Sequence, residues 1–281
     1  IHFKILTVNP LTFENDISKY KNKYICFNAL HGTFGEDGTI QKILHKKKFA
    51  VTHSNAKSSY NCFNKIISKK IIKKYKILTP PHIILDLKNL DSQNLYIIKK
   101  KFRKFVVKPV FSGSSYGLKI IKSNNDLDLF LKELNNYKKD FQNKSKFLIE
   151  KYINGKELTV SILNGELSAE ALEVTEIISF NENYDYQAKY TKGFSKHYIP
   201  ARISKINNLK CLDIALKIHK IFKCNTLSRV DFIFNKKQNK IYFLEINSQP
   251  GMTKISLLPE QAKYKKINFE NIILKLIENA K

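Results

Sequence analysis

The sequence predicts a fold that opens as α/β and continues as α+β. Short apolar runs of strand length recur through all 281 residues, among them "KFVVKP", "GLKIIKS", "FLIEKYI", "KELTVSILN", "AEALEVTEI", "RVDFIF" and "IYFLEIN". A Gly-rich loop running into a short helix, "HGTFGEDGTIQKILHKK", lies near the start. Apolar spacing of three and four, the mark of an amphipathic helix, is clearest in "NNLKCLDIALKIHKIF", among the later strands.

Taken in order, "HFKILTV" and "YICFNAL" read as strands, and the Gly-rich loop and its helix complete a first part ending near residue 54. A lysine-rich helix near Tyr60 to Tyr75 follows, then "ILTPPHIIL" and the strands "KFVVKP" and "GLKIIKS". "NNDLDLFLKELNNY" reads as a helix whose acidic first turn suits the positive end of the helix dipole. "FLIEKYI" is a strand, and from about residue 150 the remaining strands surround the amphipathic helix. With no internal repeat or long low-complexity linker, the chain divides into 1–54, 55–149 and 150–281.

Composition sets limits. A hydrophobic content of 43% is ample for a core, and the length suits two or three small domains or one large one. No apolar run approaches the roughly 18 residues of a membrane-spanning helix, and "IHFKILTVNP" reads as strand and turn rather than signal peptide. Cys26, Cys62, Cys211 and Cys224 show no close metal-ligand spacing, which points to a reduced, cytoplasmic protein. The net charge of +26 is almost all lysine, with only Arg103, Arg202 and Arg229 as arginine, and it is spread along the chain. That pattern describes a solvated basic surface rather than a nucleic-acid reader, since arginine is favoured for bidentate base readout. No nucleic-acid partner and no membrane are expected.

Chemistry concentrates in "RVDFIF" and "FLEINSQPGMT", joined by the polar "NKKQNK". Side chains alternate along a strand, so Glu245 and Asn247 share a face. Pairing Phe234 near Ile241 brings Asp231 across from Glu245, with Arg229 on the Asp231 face. Two carboxylates and an amide oxygen suit a hard cation such as Mg²⁺, and a buried charge without a partner is too costly to leave there by accident.

"VVKPVFSGSSYGLKII" puts a small-residue loop, Ser112 to Gly117, between two strands. It is not a Walker A motif, because no Gly-Lys-Ser/Thr follows and the next element is a strand. Its backbone N–H groups can still cradle phosphate as a nest, with Lys108 adding a point charge; read alone, it is more readily a plain flexible hairpin. "FLIEKYINGKELTV" reads as strand, Asn-Gly turn and strand, with Glu150, Lys151 and Glu157 beside apolar residues. "YDYQAKY", Tyr184 to Tyr190, reads as a loop of the kind that serves as a lid.

Together and in order, "ALHGTFGEDGTIQ", "VVKPVFSGSSYG", "FLIEKYINGKELTV", "YDYQAKY", "RVDF" and "LEINSQPGMTKISLLP" resemble the ATP-grasp enzymes, specifically the D-alanine–D-alanine ligases. The resemblance implies an ATP-grasp fold: an N-terminal doubly wound α/β domain and two α+β domains enclosing ATP. It implies that Lys65 and Lys108 hold ATP phosphates, with Ser114 and Ser115 in the loop closing over them. Glu150, Lys151 and the backbone near Ile153 would meet adenine, Glu157 the ribose, and Asp231, Glu245 and Asn247 two Mg²⁺ ions, with Mn²⁺ able to serve instead. Lys189 would face the transferred phosphate, and Arg229 and the Gly251 N–H the oxyanion. Ser256 and Leu257 would take the second D-alanine carboxylate, and His31 would lie near the reacting amino acids. Tyr190, joined to Ser114, implies an amine rather than a hydroxyl nucleophile. The implied function is ATP-dependent ligation of two D-alanines through an acyl phosphate for peptidoglycan, by a homodimer.

The family's opening strand, acidic Gly-rich loop and helix lie upstream of what "IHFKILTV" matches. The first strand of the N-terminal domain is therefore expected to be missing, and this stretch alone is expected to bind MgATP weakly and ligate poorly. Two rivals remain: another ATP-grasp carboxylate–amine ligase, and a nucleotide-binding relative without activity.

Overall fold

A computed structural model describes residues 4–20, 23–113, 116–141, 146–165, 168–179, 195–253 and 255–281. Two antiparallel sheets face each other across a cleft, and a small parallel unit lies at the N-terminal side.

The larger sheet contains β7 (Lys156–Asn164), β8 (Ala169–Ser179), β9 (Ser195–Tyr198), β10 (Leu227–Asn235) and β11 (Lys240–Asn247), in the order β11-β10-β7-β8-β9. Its apolar face carries Leu158, Val160, Val230, Phe232 and Phe243, all fully buried, against helix α7 (Lys205–Phe222). Burial of each of these large side chains contributes about 1.5–3 kcal/mol. A helix pair, α3 (Ala56–Phe63) and α4 (Lys65–Lys74), packs along the edge strand β11. An exposed edge invites unwanted pairing; here the Phe243 N–H donates to the Leu78 carbonyl at 2.8 Å and its carbonyl accepts from Lys69 Nζ at 3.0 Å.

The smaller sheet is β3 (His82–Asp86), β6 (Lys146–Lys151), β4 (Phe105–Pro109) and β5 (Lys119–Ile121), in the order β3-β6-β4-β5. Helices α5 (Ser92–Phe102) and α6 (Asn124–Asp140) cover one face through Phe105, Val107, Phe147 and Ile149. The alternation that turns these residues to the helices turns Val106, Lys108, Leu148 and Glu150 to the other face. A capping box starts α6: Asp126 N–H donates to Ser123 Oγ at 3.1 Å and Ser123 N–H to Asp126 Oδ2 at 2.8 Å.

Near the N-terminus, α1 (Phe13–Ile17) and α2 (Thr39–Lys46) pack with the parallel pair β1 (Ile25–Cys26) and β2 (Ala50–Val51). After the larger sheet, α8 (Leu257–Tyr264) and α9 (Phe269–Glu278) share a core with Leu163, Leu172 and Leu227.

Three expectations change. Residues 4–8 of "HFKILTV" form no strand, and Ile5 is 82% exposed: an apolar run with no neighbouring strand has no ladder to join. The helix expected over Tyr60 to Tyr75 is two helices. Asn64 breaks it with an extended ψ of 102° and caps the second helix by accepting from the N–H groups of Ile66 and Ile67, both at 3.1 Å. β6 and β7, which read as strand, Asn-Gly turn and strand, belong to different sheets, so the turn carries the chain from one sheet to the other. Gly155 makes the turn close: a Cβ there would collide with the Phe234 carbonyl oxygen. Six elements, α1, β2, α5, β9, α8 and α9, had not been read from the sequence.

Candidate active site

Arg229, Asp231, Glu245 and Asn247 meet on one face of the β10–β11 ladder because of a bulge. From Asn235↔Lys240 to Phe232↔Phe243 the register is regular. Continued unchanged, it would set Asp231 against Leu244 and turn Glu245 to the opposite face. One extra residue on β11 shifts the pairing, so Asp231 faces Glu245 and Arg229 faces Asn247.

β7, on the other side of β10, pairs Thr159 with Asp231 and Ser161 with Arg229. Thr159 Oγ1 donates to Asp231 Oδ1 at 2.6 Å. Arg229 grips the same carboxylate with two bonds, Nε to Oδ1 at 2.9 Å and Nη2 to Oδ2 at 2.8 Å, the fork geometry that makes such pairs strong. A second irregularity, between Val160 and Ile162, leaves Ser161 without a β8 partner. The fully buried Gln261 of α8 fills the place: its Oε1 accepts from Ser161 N–H at 2.7 Å and its Nε2 donates to Thr175 Oγ1 at 2.9 Å. That contact holds α8 against the polar face.

The cleft has two arms that share Lys65, Ser112 and Glu245. One is lined by Lys108, Leu118, Glu157, Asp231 and Leu244, between the two sheets. The other is lined by His31, Glu36, Phe63, Arg229, Asn247 and Gly251, toward the N-terminal unit. Lys65 Nζ, at the junction, donates to the Ser112 carbonyl at 2.5 Å and lies 3.7 Å from Glu245 Oε2. Glu245 is one-third exposed, at 33%.

Behind Lys108 lies a buried charge cluster. Lys108 Nζ is 2.6 Å from Glu150 Oε2, and Lys69 Nζ is 2.8 Å from Glu150 Oε1. Burial alone would raise the Glu150 pKa; the ammonium groups of Lys108 and Lys69 overcome it and hold the carboxyl at about 2. Because the folded value lies below the ordinary 4.5, this carboxylate stabilises the fold above pH 4.5 and loses that contribution as pH falls toward 2. The melting temperature should therefore fall over that window. Glu150→Gln should start lower at neutral pH and lose less on acidification; an unchanged acid slope would rule Glu150 out as its source.

In the second arm, His31 Nδ1 lies 3.3 Å from Glu36 Oε1, and the Gly32 N–H donates to Glu36 Oε2 at 2.9 Å. Donating to the Glu36 carboxylate raises the His31 pKa against the opposing effect of burial. Beyond Asn247, the Gln249 N–H donates to Asn247 Oδ1 at 2.7 Å. The buried Gln249 side chain crosses to the N-terminal unit, donating to the Leu30 carbonyl at 2.5 Å and accepting from Asn28 Nδ2 at 2.8 Å. Ser256 Oγ accepts from Thr253 N–H at 3.1 Å, and a Cβ on Gly251 would come within 2.8 Å of it. Glycine thus lets the loop close on the start of α8.

Nine of the residues singled out in the sequence line this cleft: His31, Lys65, Lys108, Glu157, Arg229, Asp231, Glu245, Asn247 and Gly251. Ser256 and Leu257 adjoin it through Gly251, whereas Lys151 is exposed at the end of β6 and Ile153 partly buried beyond it. The Glu150 side chain is only 2% exposed and is turned to the two lysines. Ser114, Ser115, Lys189 and Tyr190, with "YDYQAKY", lie outside the described residues. Sequence reading missed Glu36, Lys69, Thr159 and Gln249. Of these only Glu36 carried a signal, inside "LHGTFGEDG"; the others depend on partners more than 70 positions away.

All four cysteines are free thiols. Cys62 and Cys224 nevertheless bring their sulfurs to 3.7 Å, across the contact of α3 with the end of α7. Among the described residues no helix is long and apolar enough to cross a membrane.

The chain matches known proteins over nearly its whole length. The family described as D-ala D-ala ligase C-terminus matches residues 71–278. The D-alanine–D-alanine ligase of Pelagibacter ubique is 42% identical over 99% of this chain and 88% of its own, and that of Rickettsia canadensis 40% over 91% and 68%. Among solved structures, D-alanine–D-alanine ligase from Bacillus anthracis complexed with ATP superposes with a TM-score of 0.76 at 31% identity, covering 98% of this chain and 84% of that one. VanG D-Ala:D-Ser ligase from Enterococcus faecalis reaches 0.72 at 28%, covering 90% and 72%. On its sequence, its two-sheet architecture and its cleft, this chain belongs to the D-alanine–D-alanine ligase family.

Proposed function

We propose that the chain joins two D-alanine molecules at the expense of ATP, giving D-alanyl-D-alanine for peptidoglycan. The observation that carries this reading is the two-armed cleft, in which cations from both sheets converge on the acidic face of β10 and β11. It is supported by relatives of the same name at about 40% identity.

In this reading the arm between the sheets takes ATP. Lys65 and Lys108 neutralise its phosphates with the loop that includes Ser114 and Ser115, and Glu157 takes the ribose. The strand end from Glu150 through Lys151 to Ile153 takes adenine. Since the Glu150 carboxylate is engaged by two lysines, adenine is left to the backbone and to Lys151.

Asp231, Glu245 and Asn247 form an all-oxygen donor set on one face, which fits Mg²⁺ or Mn²⁺. When bound, the metal would neutralise phosphate charge as the phosphoryl group transfers. The other arm takes the amino acids. The carboxylate of the first D-alanine attacks the γ-phosphorus, ADP leaves, and an acyl phosphate forms. The amine of the second then attacks the acyl carbon, and phosphate leaves as the peptide bond closes. Arg229 and the Gly251 N–H stabilise the oxyanion formed in between. Ser256 and Leu257, at the N-terminus of α8, receive the second carboxylate, His31 stands beside the reacting groups, and Lys189 and Tyr190 act from the segment beyond β8. The division into 1–54, 55–149 and 150–281, cytoplasmic location and a homodimer are part of the same proposal.

Phosphate release from MgATP with D-alanine, D-serine, D-lactate, L-alanine or no acceptor tests it. Release dependent on D-alanine, with the dipeptide as product, is expected. ATP binding without release under any acceptor would favour the inactive relative, and release with another amino acid alone would favour a different ligase.

A further inference from the structure

Lys69 is among the largest fully buried side chains of the described residues, and the one charged group in that set. Burying an ammonium is costly unless it is paired and hydrogen-bonded. Lys69 follows Lys65 by one turn of α4, so the two point from the same face of the helix. Lys65 reaches the cleft, and Lys69 reaches beneath it. Its Nζ touches three features at once: the Glu150 carboxylate at 2.8 Å, the Phe243 carbonyl at 3.0 Å, and the face of the Phe243 ring at 5.2 Å from the centroid. Phe243 immediately precedes Leu244, the extra residue of the bulge that sets Asp231 against Glu245.

On the other side of the same carboxylate stands Lys108, 2.6 Å from Oε2. Val106 pairs with Glu150, and Lys108 lies two residues further along β4, on the same face and diagonal to the carboxylate. A single carboxylate is therefore divided between two ammonium groups, one enclosed and one lining the arm between the sheets. The three groups carry a net charge of one positive unit, and only Lys108 presents it to the cleft.

We infer that Lys69 is a positioning residue for ATP: by occupying one oxygen of Glu150 it keeps Lys108 from being neutralised by that carboxylate and leaves its charge available to phosphate. Without Lys69, Glu150 and Lys108 close into a neutral pair. The inference rests on the reading of Lys108 as a phosphate ligand, and it adds to that reading a residue outside the cleft.

The experiment compares steady-state kinetics and nucleotide binding of the full chain with those of Lys69→Met, Lys69→Met/Glu150→Gln and Lys108→Met. Lys69→Met should raise KM for ATP by about tenfold, the weight of one charge-assisted contact, while KM for the first D-alanine stays within about twofold. ATP binding should weaken and adenosine binding should not. The double variant removes the carboxylate that would capture Lys108, so KM for ATP should return to within about threefold of wild type. It also removes the uncompensated buried charge and so serves where the single variant does not fold.

A folded Lys69→Met protein with unchanged KM for ATP, or a folded double variant still raised tenfold, would overturn the inference. Lys108→Met separates this from failure of the underlying reading. If that variant leaves KM for ATP unchanged, the assignment of Lys108 fails; if it raises KM and Lys69→Met does not, only the role of Lys69 falls.

Discussion

Asp231→Asn should lower D-alanine-dependent phosphate release by about 10³-fold and leave the fold in place. The amide keeps the shape of the carboxylate and can still accept from Thr159, which now donates at 2.6 Å. What it loses is charge, and charge is what the site requires of this position. Asp231 is one of two carboxylates on the face proposed to hold the cation, opposite Glu245 in the ladder. It also anchors Arg229 through two bonds. Removing a single preorganised electrostatic group from a site that stabilises developing charge commonly costs about 10²–10³ in rate, and this change weakens both a proposed metal ligand and the anchor of an arginine. Saturation should require more Mg²⁺, and circular dichroism should be unchanged, because Arg229 is 15% exposed and can turn to water. Activity within tenfold of wild type would remove Asp231 from the reacting centre.

Much of this was legible because its signals are local. The acidic face could be read from alternation within "FLEINSQPGMT" and "RVDFIF", since a carboxylate in an apolar strand demands a partner. The capped helix over Asn124–Asp140 announced itself by its first turn. Where the reading failed, the deciding contact was distant. "HFKILTV" has the composition of a strand, but a strand exists only where another pairs with it, and composition does not say whether one does. The break at Asn64 depends on a side chain that caps as well as it continues a helix. "FLIEKYINGKELTV" has the grammar of a hairpin, yet its two strands pair elsewhere, β6 with β3 and β4, and β7 with the next strand β8 and the distant β10.

The bulge shows the limit well. Register counting reached the pairing of Asp231 with Glu245, but strict continuation from Phe234↔Ile241 leads to Leu244. The facing of the carboxylates depends on one inserted residue that alternation alone does not reveal. Lys69 was invisible for the opposite reason: in a chain with 50 lysines and arginines, nothing local separates the one enclosed beneath the cleft from those on the surface.

Arg229→Met carries the second large effect, and its two consequences should run in opposite directions. In this structure the guanidinium occupies both oxygens of Asp231, which are also the oxygens expected to bind the cation. A bound metal would share this carboxylate with Arg229, whose positive charge would oppose its binding. With the guanidinium removed, half-saturation by Mg²⁺ should occur at a concentration about threefold to tenfold lower, because a charge-assisted bond that opposed binding is gone. Turnover should nevertheless fall by about 10²–10³-fold, since the oxyanion of the tetrahedral intermediate loses its cation. Lysine should not restore it: an ammonium offers no planar fork to hold Asp231 and the reacting oxygen together. Measuring kcat against free Mg²⁺ for wild type, Arg229→Met and Arg229→Lys reads both effects from one experiment. If metal affinity and turnover decline together, Arg229 acts by keeping Asp231 in place; if affinity rises as turnover falls, the arginine is a competitor of the metal in the resting site and a partner of the oxyanion in the reacting one.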